Sequence, residues 1–173
     1  DGIVGVNIMV ALSNYEQLVR VAVEEDVDMI ISGAGLPLGL PGYIGDKPTK
    51  LVPIVSSART LQIICRRWKT HFNRLPDAVV VEGTRAGGHL GYSPESLADD
   101  SAPRLEQTVA EVLAVANSFT PAIPVIAAGG IFDGQDIARF LRLGAAGVQM
   151  ATRFVCTDEC DVHDNFKQAY LNA

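Results

Sequence analysis

The chain has 173 residues and a mass of 18.4 kDa, the size of one domain with room for a sizeable core. A net charge of -6 and a pI near 5.0, with no concentrated basic cluster, argue against nucleic acid or an anionic membrane as the main partner. No apolar run reaches the roughly 20 residues of a membrane span, and the start Asp1-Gly2-Ile3 lacks the positively charged region of a leader peptide, so a cytoplasmic location is expected.

In chain order, Gly2 to Met9 is a short apolar run of strand type that contains the polar Asn7. Ser13, with Glu16 three residues on, predicts a capping box at the start of a helix whose apolar positions are Tyr15, Leu18, Val19, Ala22 and Val23. Met29 to Ser32 is a second strand closing on Gly33-Ala34-Gly35. The proline- and glycine-rich stretch 36–50 predicts a loop with at most a turn of helix. Lys50 to Ser56 is a third strand, and 57–72 a helix whose Arg66-Arg67-Trp68-Lys69 run reads as a solvated face. Ala78 to Val81 is a fourth strand, and the polar, acidic stretch 93–102 reads as a surface excursion. Leu105, Val109, Val112, Leu113 and Ala116 place an amphipathic helix over 104–117. Pro124 to Ala128 is a fifth strand ending on Gly129-Gly130. A helix then starts at Asp133 or Gly134, runs through Leu141 and is closed by Gly144. Ala146 to Met150 is a sixth strand, and the tail from Asp158 carries Phe166, Ala169 and Tyr170 on one helical face.

Six short strands of nearly continuous hydrophobicity, separated mostly by helices, predict a parallel sheet covered on both sides. Ligands of such sheets lie at the C-terminal strand ends. Those ends carry Asn7, Ser32 to Gly35, Ser56, Glu82 to His89, Gly129-Gly130 and Ala151-Thr152, so small and polar residues collect on one rim. Val79-Val80-Val81 in particular runs into Glu82-Gly83-Thr84-Arg85-Ala86-Gly87-Gly88-His89-Leu90-Gly91. Glycines on both sides of His89 let a flat ligand lie against the backbone while the imidazole reaches it; the alternative is a tight turn with an exposed histidine. Cys65, Cys156 and Cys160 form no disulfide framework, and Cys156, Cys160 and His163 lack the ligand number and spacing of a zinc site, so no metal is expected.

These segments resemble the FMN-dependent nitronate monooxygenases, formerly 2-nitropropane dioxygenases, which are similar to the FMN-dependent enoyl-acyl-carrier-protein reductases. The matching segments are Gly5-Val6-Asn7-Ile8-Met9, Ser32 to Gly35, Val52 to Val55, Glu82-Gly83 with Ala86 to Gly91, Pro124 to Gly134 and Val148 to Phe154. The resemblance implies a TIM-type (β/α)8 barrel, residues 1–173 forming one FMN-binding domain, with FMN lying across the strand ends. Its phosphate would meet Ala128, Gly129, Gly130, Ala151 and Thr152 near a helix N-terminus. Asn7, Ser56, Glu82 and Gln149 would face the ring edge or ribityl chain, and Gly87 and Gly88 would let the flavin approach. For Asn7 the alternative is a strand-end cap, for Ser56 a helix start, and for Gln149 the satisfaction of core backbone.

His89 is the catalytic candidate, because imidazole as a class titrates near neutrality and can take a proton from carbon beside a nitro group or orient a nitronate oxygen. The resemblance implies oxidation of nitronates by oxygen to a carbonyl compound and nitrite. The alternatives are NAD(P)H-dependent reduction of an enoyl thioester, FMN or phosphate binding without turnover, and a fragment without cofactor. In the enzyme readings the partner is a small molecule, nitronate or enoyl thioester.

A complete barrel of this type takes about 250 residues. With six strands, this chain is expected to begin at the family's second strand and to lack the first and last. The phosphate half of the site would then be present and the ring half incomplete, with the open strand edges a route to self-association or to completion by a partner copy. Ala151 stands where the family has a glycine before the threonine.

Overall fold

Strand residues alternate between two environments, and this alternation sets the architecture. The computed structural model describes residues 2–98 and 101–172. Its elements are β1 (Gly5–Met9), α1 (Tyr15–Glu24), β2 (Met29–Gly33), α2 (Pro41–Ile44), β3 (Lys50–Val55), α3 (Ala58–Phe72) and β4 (Val79–Glu82). They continue with α4 (Pro94–Ala98), α5 (Leu105–Ala116), β5 (Val125–Ala128), α6 (Gly134–Leu143), β6 (Gly147–Gln149), α7 (Thr152–Val155) and α8 (Asp164–Leu171).

All six strands pair in parallel in the order β1-β2-β3-β4-β5-β6, so each neighbour in sequence is a neighbour in space. Ile8, Ile30, Leu51, Val55, Val79, Val81, Val125 and Ala127 face one way and join residues of α1, α3, α5 and α6 in the main core. Val52, Val80 and Ala128 face the other way and pack with Met29, Ile31, Ile54, Ala78 and Ile126; no helical residue belongs to that cluster. The sheet is therefore a curled part of a TIM-type barrel, its convex side under helices and its concave side lined by strand residues alone. Cover on both sides, expected from the hydrophobic runs, is found on the convex side alone, under the helices; on the concave side Met29, Ile31, Ile54 and Ile126 are only partly buried.

The helices follow from their apolar spacing. Tyr15, Val19, Ala22 and Val23 of α1 are buried, as are Leu61, Ile64, Cys65 and Trp68 of α3 and Val109, Val112 and Ala116 of α5. Trp68 is fully buried and its Nε1 donates to the Pro37 carbonyl at 2.9 Å, fastening the 36–40 segment to α3. Ser57 caps α3 by accepting from the Thr60 amide, and Asp133 caps α6 by accepting from the Gln135 and Asp136 amides. Gly144 ends α6 in the left-handed region at φ 110°, as expected for a glycine stop.

Two expectations are corrected. Ser13 and Glu16 form no capping box: α1 begins at Tyr15 behind Asn14, which makes no side-chain cap, and Glu16 pairs with Arg20 four residues on instead. β1 begins at Gly5 rather than Gly2. The polar stretch from Ser93 lies on the surface as expected and contains the short α4, which buries no residue and before which the Ser93 Oγ accepts from the Ser96 amide; Asp99 and Asp100 lie outside the described residues. Among the described residues, no helix is long and apolar enough to cross a membrane.

Asp77 ties the loop before β4 to the start of β3. Its carboxylate accepts from the Leu51 amide at 2.9 Å and from Arg74 at 2.7 Å, with Lys50 at 3.2 Å. Burial pushes its pKa up, but these donors outweigh burial and hold it below the ordinary value of 3.8. Its contribution to stability is therefore full above about pH 4 and lost as pH falls through the lower folded value. Asp77→Asn should cost about 1–3 kcal/mol at pH 7 and flatten the acid limb of a urea-midpoint against pH curve; equal acid sensitivity in both proteins would refute the assignment.

Candidate active site

Parallel pairing brings all the C-terminal strand ends to one rim, and the register decides which side chains meet there. Glu82, Ala128 and Gln149 are in register across β4, β5 and β6, on the concave side with Val80 and Ile126. Glu82 and Gln149 are half-buried and Ala128 is buried. Burial pushes the Glu82 carboxyl above its ordinary value. Asn7 shares the concave side, in register with Ile31, but is exposed on β1 and stands apart from Glu82 across β2 and β3.

Residues 83–92 form a loop that covers three strand ends in turn. It leaves β4 by a turn in which the Ala86 amide donates to the Gly83 carbonyl at 3.1 Å. It then lies on the end of β5: a Cβ on Gly129 would stand 2.9 Å from the Ala86 nitrogen, and one on Gly130 would stand 3.0 Å from the Arg85 Cβ. Gly129 and Gly130 have φ of 102° and 71°, which an L side chain rarely adopts. Gly87 follows beside β6, the Thr152 Oγ1 lying 3.5 Å from where its Cβ would be. The loop returns to β3, where the Ser56 Oγ donates to the Gly91 carbonyl at 3.2 Å. His89 lies at the exposed apex between these contacts.

The sequence-derived residues thus fall into groups. Gly87, Gly129 and Thr152, with Gly88, Gly130, Ala128 and Ala151 adjacent, gather where β5 and β6 end. Glu82 and Gln149 stand beneath them, Ser56 is joined to the His89 loop rather than to β4, and Asn7 is remote. Gly88 meets nothing in space, so its glycine character answers to its φ of 87° and not to crowding. Ala151 has φ -132°, which an L residue accepts, so nothing in its backbone requires the family's glycine. Two helices begin near these residues: at α6 Asp133 accepts from two amides and the Asp136 carboxylate accepts from the Phe132 amide, so that start is capped by its own side chains, whereas α7, which begins at Thr152, has no side-chain cap.

Three residues that sequence reasoning missed complete the rim. Arg85 packs on Gly130, and Arg153 stacks on the exposed Phe132 ring at 4.2 Å, bringing two cations to the β5 and β6 ends of an acidic chain. The half-buried Tyr92 donates from its hydroxyl to the Glu82 carbonyl at 3.1 Å. The arginines carried a signal, since each adjoins a rim motif; Tyr92 carried none. The cysteines are used otherwise: Cys156 donates to the Lys167 carbonyl and His163 Nδ1 accepts from the Asn165 amide at the start of α8.

A part-barrel with a glycine-built rim over a half-buried carboxyl and two flanking arginines has the architecture of a TIM-type α/β fold, a class whose ligands lie at the C-terminal strand ends. The chain belongs to the nitronate monooxygenase family, whose profile matches residues 2–173. It is 31% identical over 169 residues, 98% of its length, to the (3aS,4S,5R,7aS)-5-hydroxy-7a-methyl-1-oxo-octahydro-1H-indene-4-carboxyl-CoA dehydrogenase of Mycobacterium tuberculosis, of which it spans 42%. To the nitronate monooxygenase of Pseudomonas aeruginosa it is 40% identical over 93 residues, 54% of this chain and 25% of that protein. FabK from Thermotoga maritima superposes on the whole chain with a TM-score of 0.81 at 35% identity, the chain covering 49% of it. The chain thus spans about half the length of such relatives or less.

Ionising Glu82 in its half-buried place opposes folding. Because its folded pKa is raised, stability falls as pH rises from the ordinary carboxyl value through the folded one. Glu82→Gln should therefore be as stable as the parent or more stable at pH 7, with the gain vanishing below about pH 4. Urea midpoints at the two pH values decide it; a variant less stable at pH 7 would show that the carboxylate is stabilising there.

Proposed function

We propose that this chain forms the phosphate side of an FMN site and that the protein containing it oxidises nitronates, with His89 as the catalytic residue. One observation carries the reading: the loop that leads to His89 lies across the ends of β5 and β6, with Ala86 and Arg85 against Gly129 and Gly130 and Gly87 beside Thr152. That arrangement fits a flavin phosphate. Gly129 and Gly130 hold backbone where a side chain would collide, and the N–H groups of Gly87, Gly88 and His89 donate to no protein acceptor among the described residues. Thr152 adds a hydroxyl, and Arg85 and Arg153 add positive charge.

When bound, FMN supplies the redox chemistry, taking electrons from substrate and passing them to oxygen. The chain supplies position and proton handling. Glu82 and Gln149, on the concave side below the phosphate residues, face the remainder of the cofactor. Burial raises the Glu82 carboxyl above its ordinary value, and its oxygens can accept hydrogen bonds from a ligand. Ser56 retains lone pairs to accept with, although its proton is committed to Gly91. The exposed His89 takes the proton from the carbon bearing the nitro group of a neutral nitroalkane, and its imidazolium then faces the nitronate oxygens.

A second reading, reduction of an unsaturated thioester with NAD(P)H as donor, is favoured by the full-length superposition with FabK and by the identity to a carboxyl-CoA dehydrogenase. It uses the same phosphate residues and differs in what reduces the flavin. Oxygen consumption with a nitronate supports the first reading; NAD(P)H consumption with an enoyl thioester supports the second.

His89→Ala should lower kcat/KM on a neutral nitroalkane by about a hundredfold or more while changing the value for its nitronate less than about tenfold, the range of general base catalysis. Equal values for variant and parent on both substrates would remove His89 from the mechanism. Gly129→Ala, which forces a side chain against the Ala86 backbone in a left-handed conformation, should weaken FMN binding at least about tenfold, read by flavin fluorescence on titration. Unchanged affinity would move the phosphate elsewhere.

A further inference from the structure

We infer that Tyr92 is a positioning residue: with Ser56 it forms a two-point clamp that fixes the returning limb of the loop and thereby the place of His89. The inference rests on the catalytic reading of His89 given above and deepens it.

The loop is glycine-rich on both sides of His89, and glycine backbone is costly to order. On its outgoing limb the loop is fixed by the turn from Gly83 to Ala86 and by the packing of Ala86 on Gly129. Between Ala86 and Leu90 no hydrogen bond to the protein is made among the described residues. The returning limb is held by two bonds on consecutive residues. The Gly91 carbonyl accepts from Ser56 at the end of β3, and the Tyr92 hydroxyl donates to the Glu82 carbonyl at the end of β4.

Both bonds reach rigid partners. Ser56 sits directly between β3 and the capped start of α3. Glu82 is the last residue of β4, paired with Ala128. The Tyr92 ring is half-buried beside the buried Thr108 of α5. Gly91 completes the fit, since a Cβ there would stand 2.9 Å from the Ser56 Cβ, so the limb lies as close to β3 as a backbone can. Two contacts one residue apart, to two different strand ends, leave the limb no rotation about either; His89 is two residues upstream. Among the described residues the Tyr92 hydroxyl bonds to the Glu82 carbonyl and lies against Thr108, not against the rim glycines or Thr152, and its effect on chemistry passes through the loop.

The test is Tyr92→Phe, which keeps the ring and deletes the donor, in the FMN-loaded protein. A misplaced general base loses between about tenfold and a hundredfold. The expected result is a loss of that size in kcat/KM on a neutral nitroalkane, an unchanged value within about twofold on the nitronate, which needs no proton removed, and an unchanged flavin spectrum. Amide exchange across residues 86–91, measured by mass spectrometry, should quicken by about tenfold. Equal losses on both substrates, or loss of flavin, would mark a merely structural tyrosine and overturn the inference, as would unchanged exchange.

Gly91→Ala, whose side chain would stand 2.9 Å from the Ser56 Cβ, provides an independent variant, expected to show the same substrate split. Equal losses on both substrates in this variant count against the clamp. If the parent protein turns over neither form of nitroalkane, the nitronate reading fails, and the exchange measurement still decides whether Tyr92 holds the loop.

Discussion

The structure depends on register. In a parallel sheet with period-two side chains, one residue of slip sends every inward residue outward. Here Val79 and Val81 of β4 are pinned outward by the helices they pack against, which leaves Val80 and Glu82 inward. The same holds for β5, where Val125 and Ala127 join the outer core and Ile126 and Ala128 face in. A slipped β4 would put the Glu82 carboxyl among helices and a valine on the rim, losing apolar burial and leaving a polar group without water or partner. The apolar core under the helices therefore decides the chemistry of the opposite side. Glu82, Ala128 and Gln149 meet because valines elsewhere cannot move.

Upon that fixed frame the loop after β4 is built of residues with little side chain, and the consequence is a division of charge. The start of α6, normally the electropositive point of a βα unit, is neutralised by Asp133 and Asp136. Positive potential at the rim comes instead from Arg85 on Gly130 and from Arg153 on Phe132, with glycine amides between. An anion at this place would be held by backbone donors and arginine rather than by a helix macrodipole, so its affinity would fall with salt more steeply than that of a site buried at a helix end. Arg153 lies on a ring face with its guanidinium already desolvated on one side, which lessens the cost of approaching a phosphate.

Much of this was legible beforehand, and the reasons are specific. Val79-Val80-Val81 and Val125-Ile126-Ala127 read as buried strands because β-branched runs ending in glycine have few other uses in a short segment. Ser57 and Gly144 mark helix ends because their local chemistry has no competitor. Ser13 misled because Glu16, needed for the capping box, has Arg20 one turn away, and an ion pair along the helix took it. The helix α4 escaped notice because it buries no residue, leaving no apolar period to read. Gathering Gly87, Gly129 and Thr152 at one place was implied by resemblance of the segments in order. The bond from Tyr92 to Glu82 was not legible at all, since it depends on the path of ten loop residues and not on any motif.

The two sides of the sheet also differ in how completely they are covered, and this bears on the site. The convex core is continuous from Ile8 in β1 to Ala145 beside β6, with most members at or near zero exposure, so the six strands and their helices cohere without the concave side. On the concave side Val52, Val80 and Ala128 form the buried apolar cluster among the described residues, while Met29, Ile31, Ile54 and Ile126 remain part-exposed and Asn7 is exposed. This part-exposed apolar surface lies on the same sheet face as Glu82 and Gln149. Any layer that closes the barrel interior gains its stabilisation there, at about 25 cal/mol per Å² covered, and at the same time deepens the burial that already raises the Glu82 pKa. Closure of the fold and the electrostatics of the candidate site are thus coupled through one surface: the more completely the interior is covered, the further burial pushes the Glu82 carboxyl above its ordinary value.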